Sequence, residues 1–358
     1  MDKINVRQIA LLYAVVLPAT RFLVYPSTLA YYAGNDLLFS AAACIALEGG
    51  MLALVFAMSK RTDKTLFGLL EQGVGRPFAR AVYLLFCLYF AWASFFPLLE
   101  QKIFVLHAFY ENVPSLFSFI PFFAVSLYAC TKGFCAVGRA ADLSLPVFAL
   151  CFSALLLLSL PEADFSALLP LGGAGAEGIA KGGLFGIEKY ANCLYPLFFL
   201  GHFERKKGDA AKLAAGYAVG AAATLLFLGC FYGIYAQTSL SQQYALSQTA
   251  KYTTAFTSLG RIDLLFVYAL SLVLSFAACL PMQLSVHCAK SAIGCKPLVP
   301  ALLLNGALLA ASFFFSGAYR ELQQIVIERL WFLPLLFAYL LPALAALFAF
   351  AKGRKKDA

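Results

Sequence analysis

Leu17-Pro18-Ala19-Thr20-Arg21-Phe22-Leu23-Val24-Tyr25-Pro26 is the stretch on which the reading of the fold turns. It lies inside an apolar run of spanning length, from about residue 8 to residue 32, yet it holds two prolines and an arginine. Proline removes a backbone donor and clashes with the preceding turn, so a helix through this run kinks or unwinds partway. Counting about 13 residues from the start of the run at about 1.5 Å each places Arg21 roughly 20 Å in, near the middle of a bilayer. A second interruption, Asn192-Cys193-Leu194-Tyr195-Pro196, falls in another apolar run further along.

The whole chain supports a membrane setting. Of its 358 residues 62% are hydrophobic and 13% charged, with a mean hydropathy of +0.81. A soluble domain is about 45–50% apolar and about 25% charged, so this is a polytopic membrane protein. Runs of spanning length fall at about 8–32, 37–59, 78–106, 114–131, 141–160, 184–203, 211–236, 261–288, 298–315 and 331–351, which predicts ten helices in a single domain over 1–358. Thr62 to Gly75 suits a short interfacial helix. The interruptions fall in the first and sixth runs, corresponding positions if the chain is two repeats of five. Because five is odd, the second repeat crosses in the opposite sense, so the expected fold is an all-α five-plus-five inverted repeat with helices 1 and 6 broken.

Charge sets the orientation. The chain has 27 Lys+Arg against 18 Asp+Glu. With the N-terminus inside, 19 of the 27 basic residues fall in cytoplasmic segments and five (Lys102, Lys181, Lys251, Arg320 and Arg329) in outer ones. The other three, Arg21, Lys189 and Arg261, lie in or at the edge of helices. This asymmetry predicts cytoplasmic termini, and it assigns the basic excess to topology rather than to nucleic acid. Hydrolase, zinc-protease and nucleotide-binding signatures are missing, which speaks against an enzyme. The three His have no metal spacing, no cofactor motif is present, and cysteines such as Cys44, Cys193 and Cys279 sit in apolar runs as packing residues. Gly173-Ala174-Gly175-Ala176-Glu177-Gly178 matches a dinucleotide fingerprint in form but follows no strand, so Gly172 to Gly183 reads as a flexible outer loop. Gly216, Gly220, Gly229 and Gly233 report close helix packing.

Intramembrane charges are the candidate functional groups, because a cation at mid-depth needs a partner or a wet cavity. Arg21 and Glu48 reach similar depths on consecutive helices and are expected to meet. Either the pair fixes helix packing, or Arg21 helps hold a ligand carboxylate at the break with Ala19, Thr20 and Phe22. Glu188 beside Lys189, and Arg261 with Asp263, are either interfacial ion pairs or gating and ion-coupling groups together with Glu48. Tyr89, Trp92, Phe95 and Phe96 form an aromatic stripe on helix 3, read either as core or as the wall of a pocket. Glu100 on the same helix reads as interfacial. Amides at the helix 1 break attract a carboxylate, and carbonyls around Asn192 and Tyr195 attract an ammonium group, so a small zwitterion fits between them.

In order and spacing, several short motifs resemble the spore germination protein family of the GerAB type, a branch of the amino acid, polyamine and organocation transporter superfamily. They are Gly34-Asn35-Asp36, Gly133 with Arg139, Asp142 and Pro146, Leu168-Leu169-Pro170, Phe185 to Glu188, Pro196 and Arg261-Ile262-Asp263. The helix 1 break departs from the glycines common in that superfamily, and Asp263 stands where the family usually has Glu. The resemblance implies an integral subunit of a nutrient germinant receptor in the inner spore membrane, beside a larger membrane-anchored subunit and a lipoprotein, binding a small nutrient, typically an amino acid. An amino acid permease coupled to H⁺ or Na⁺ is the alternative.

Overall fold

The computed structural model describes residues 4–61, 64–109, 115–201, 203–204, 208–252, 263–315 and 317–354. Asn5 caps Val6–Leu11 (α1) in a reciprocal arrangement with Gln8, satisfying backbone donors that the first turn leaves open. The helix passes through a π-helical turn, Leu12–Val16, into Leu17–Ala19 (α2), where the ladder stops. It resumes as Tyr25–Ala33 (α3), with Pro26 in the first turn, where a missing N–H costs nothing. Leu37–Arg61 (α4), Leu66–Val74 (α5), Arg76–Phe109 (α6), Ser115–Lys132 (α7) and Phe134–Ser159 (α8) follow. α5 is the short helix expected between spans, and the Thr65 hydroxyl caps it through Gly68 N at 3.3 Å.

The second half begins with Gly175–Gly186 (α9), a 3₁₀ segment Ile187–Leu194, and Tyr195–Phe198 (α10). Asp209–Tyr235 (α11), Ala245–Tyr252 (α12), Asp263–Ile293 (α13), Leu298–Phe315 (α14) and Tyr319–Arg329 (α15) come next. Phe332–Pro334 (α16), a π-helical Leu335–Leu340 and Leu341–Arg354 (α17) complete the order. Ile4–Asn5 (β1) and Phe203–Glu204 (β2) form a two-residue parallel pair that ties the start of the first run to the end of the sixth. Among the described residues, five helical stretches are long and apolar enough to cross a bilayer. Glu321–Arg329 with Phe332–Leu347, bent by 53°, makes a sixth if counted as one span.

The reading of Gly172 to Gly183 as a flexible loop is corrected: α9 starts at Gly175. Glycine is a poor helix former, so contact with neighbours must hold this helix. A Cβ on Gly182 would lie 2.9 Å from Ser40 Oγ and 3.0 Å from Ala33 Cβ, and one on Gly186 would lie 2.6 Å from the Tyr25 ring. The glycines therefore form a flat face against α3 and α4, and Ser40 Oγ donates to Ile179 O across it at 2.8 Å. The buried Asp36 carboxylate holds the approach, accepting from Gly172 N at 2.7 Å and Ala174 N at 2.8 Å. α12 and α15 are likewise elements that hydropathy did not reveal.

The most extensive helix contact joins α6 and α13. Two apolar cores flank it. One, around Phe90, Phe198 and Phe227, surrounds both helix interruptions; the other, around Phe95, Phe96, Phe123 and Met282, lies among α6, α7, α13 and α14. Of the nine described free cysteines, eight are buried, consistent with packing roles.

Candidate functional site

At the first interruption the chain closes α2 with short-range bonds, Arg21 N to Pro18 O at 2.8 Å and Phe22 N to Ala19 O at 3.2 Å. Backbone groups freed inside an apolar core need protein partners. Phe22 O and Leu23 O accept from Leu246 N and Ala245 N, at 3.0 and 3.1 Å, at the start of α12. Val24 N, at the start of α3, donates to Glu100 Oε1 at 3.2 Å. At the second interruption Lys189 O accepts from Arg21 Nε (3.1 Å) and Asn192 Nδ2 (3.2 Å). Tyr190 O accepts from Tyr339 Oη (2.8 Å), and Asn192 O from Tyr13 Oη (2.7 Å). The expected open cradle is thus replaced by a closed one. The protein's own carboxylate sits on the Val24 amide, and tyrosines and Arg21 cover the carbonyls, because an orphaned backbone group in the membrane costs several kcal/mol.

Arg21 and Glu48 meet as expected: Arg21 Nη2 lies 2.7 Å from Glu48 Oε2, with side chains 3% and 0% exposed. Tyr217 Oη adds a bond to the same oxygen at 3.0 Å, and the guanidinium carbon sits 3.9 Å from the centre of the Tyr190 ring. One side chain therefore binds α4 and the 187–194 segment to the break in the first run. Ala19 and Phe22 are fully buried, and Phe22 stacks on Phe152 at 4.6 Å between ring centroids. None of Ala19, Arg21 and Phe22 lines either cavity beside the breaks.

Those two cavities adjoin one another. The inner one is walled by Thr20, Tyr89, Trp92, Glu188, Asn192 and Tyr195, with Pro334 from the bent final span. Its solvent-accessible volume is about 50 Å³. One water needs ~10–15 Å³ by the same kind of measure, so the space suits a very small solute or a few waters. Seven of the residues singled out from sequence, those six and Lys189, drawn from the first, third and sixth runs, converge here. The outer cavity, about 40 Å³, is lined by Tyr25, Glu100, Phe185 and, from α15, Tyr319 and Gln323. Glu188, Lys189 and Val326 border both spaces.

The partition carries an ion pair that sequence reasoning missed. Lys189 Nζ pairs with Glu100 Oε2 at 2.8 Å, not with the adjacent Glu188. Glu100, read as interfacial, is 4% exposed. Its position three residues after Pro97 on an apolar helix was a signal, since an acidic residue within a span calls for a cation at the same depth. Within the aromatic stripe, Tyr89 and Trp92 face the inner cavity, while Phe95 and Phe96 belong to the second core. Arg261 lies outside the described residues, and of Asp263 only the backbone, which opens α13, is described. Among the described residues no cluster of His, Cys, Asp and Glu could hold a metal ion.

A family model described as spore germination protein matches residues 38–324, and the chain belongs to that family. No protein with a curated description matches the chain. Among solved structures, the inward-facing conformation of the transporter Mhp1 is similar, with a TM-score of 0.52 at 12% identity over 94% of this chain and 74% of that one. At that identity the likeness speaks for the fold alone: a multi-pass, helical, transporter-like membrane protein.

Proposed function

We propose that the chain is the integral membrane subunit of a spore nutrient germinant receptor, and that it binds a small amino acid in the inner cavity and triggers germination through a conformational change. The observation that carries this reading is the convergence of Thr20, Tyr89, Trp92, Glu188, Asn192 and Tyr195 on one enclosed space beside both helix interruptions. Transporter-like folds place ligands at such breaks, where backbone leaves the helix only to line a cavity. The interruptions at Thr20–Val24 and Ile187–Leu194 support a ten-helix, five-plus-five inverted repeat as a single domain. The 19 to 5 distribution of basic residues supports cytoplasmic termini. The Arg21–Glu48 pair is the clasp that holds the two broken segments on α4, and the Glu100–Lys189 pair with Glu188 is the gate between the cavities. The receptor reading carries with it the inner spore membrane and two partners, a larger membrane-anchored subunit and a lipoprotein.

An amino acid permease coupled to H⁺ or Na⁺, with Glu48 or Glu188 as the coupling group, is the second reading; the transporter-like fold favours it. The deciding experiment pairs nutrient-triggered germination of a deletion strain, with and without the restored gene, with uptake of labelled amino acid by the reconstituted protein alone. A lost and restored response without uptake supports the receptor. Coupled uptake by the isolated chain supports the permease.

A further inference from the structure

Charge at the partition is unbalanced. Three acidic or basic side chains line the two cavities: Glu100, Glu188 and Lys189. Lys189 is taken by Glu100 at 2.8 Å, and Arg21, behind the wall, is taken by Glu48 at 2.7 Å. Glu188 remains. It is half-buried, borders both cavities, and among the described residues has no ion-pair partner and no hydrogen bond. Two carboxylates thus flank a single ammonium group, which Glu100 holds, and Glu188 is left over.

Three of the groups that could hold a ligand carboxylate are already engaged. The Val24 amide carries Glu100, Arg21 carries Glu48, and Asn192 Nδ2 donates to Lys189 O. What the cavity offers instead is one open carboxylate beside the rings of Tyr89, Trp92 and Tyr195. A carboxylate next to aromatic faces recognises an organic ammonium group by ion pairing and by attraction to the rings. Hard inorganic cations prefer a cage of six or more oxygens, which one carboxylate among aromatic rings does not resemble.

We infer that Glu188 binds the ammonium group of the ligand, and that Glu100, in the adjoining outer cavity, occupies the Val24 amide at the helix break that a ligand carboxylate would otherwise reach. The site then reads the amine and the apolar body of its ligand and is tolerant of the loss of the ligand's carboxylate charge. This rests on the nutrient-site reading above and narrows its ligand class.

The test is binding to the purified full-length protein in lipid nanodiscs, measured calorimetrically with three series: alanine, valine and leucine; their amides, which keep the ammonium group and lose the carboxylate; and the matching 2-hydroxy acids, which keep the carboxylate and lose the ammonium group. The amides are expected to bind at least as tightly as the amino acids and the hydroxy acids not at all. Glu188→Gln is expected to weaken amide binding by about tenfold to a hundredfold, the range for a lost charge-assisted bond, at unchanged thermal stability. If amino acids and hydroxy acids bind while amides do not, the inference is overturned and the nutrient site stands. Stabilisation by sodium or potassium ions that Glu188→Gln removes, with no response to any amine, reassigns Glu188 to an inorganic ion and overturns it as well. If no series binds and no ion acts, the nutrient-site reading fails and the inference falls with it.

Discussion

Replacing Arg21 by Met leaves Glu48 fully buried without its cation, with the Tyr217 hydroxyl and the Asn192 amide as neutral donors. The charges lie close, with 2.7 Å between Nη2 and Oε2. At an effective dielectric constant of about 20, unit charges about 4 Å apart attract by about 4 kcal/mol. That agrees with the ~3–5 kcal/mol generally lost when one partner of a buried pair is removed. Arg21→Met and Glu48→Leu are each expected to destabilise by about that amount. At about 2 °C per kcal/mol, the low end of the range for domains of this order of size, the midpoint drops by roughly 6–10 °C. The double variant is expected to lose less than the sum, and less than either single change, because well-packed apolar side chains substitute for a buried pair without leaving a stranded charge. Thermal unfolding in detergent, followed with a thiol-reactive dye, reads this directly, since the described free cysteines are buried except for the half-exposed Cys295. Strictly additive losses, or single variants within 1 kcal/mol (about 2 °C) of the parent, would show that the pair does not clasp the broken segments.

Other outcomes follow from the same geometry. Gly220→Val is expected to cost about 1–3 kcal/mol and reduce accumulation in the membrane, because a Cβ there meets Tyr13 O and, at 2.8 Å, Pro18 Cγ. Gly229→Ala, whose Cβ would find Phe165 at 3.9 Å, is expected to be tolerated, and equal effects at the two positions would refute the packing argument. Asp36→Ala removes the acceptor of two amides and is expected to cost about 1.5–3 kcal/mol and to speed proteolysis between Pro170 and Gly175; an unchanged cleavage rate would count against the lock. With the proposed topology, an impermeant thiol reagent applied outside labels Gly172→Cys and spares Lys206→Cys, and the reverse pattern would overturn the orientation.

What the sequence by itself determined is the membrane class and the approximate ends of helices such as Leu37–Arg61 and Leu298–Phe315. These rest on local quantities, the transfer of apolar side chains and the constant rise of a helix, which add up along the chain without reference to distant residues. That is why Leu37–Arg61 and Leu298–Phe315 lie within two residues of the predicted 37–59 and 298–315, and why two charges expected at similar depth on consecutive helices were found paired. Tertiary structure alone decided which group satisfies which. Glu100 reaches the Val24 amide across 76 positions and Lys189 across 89. Both were one-dimensionally plausible as interfacial charges, because a side chain's depth does not say which helix it faces. The glycine-rich α9 was illegible for the same reason: glycine's low propensity forecasts a loop, and only the close approach to Ser40 and Tyr25 makes a helix the better state. Closure of the cradle around both breaks belongs to this second kind, since a backbone group stranded in the membrane takes whichever partner the packing brings to it, and packing is a property of the whole chain.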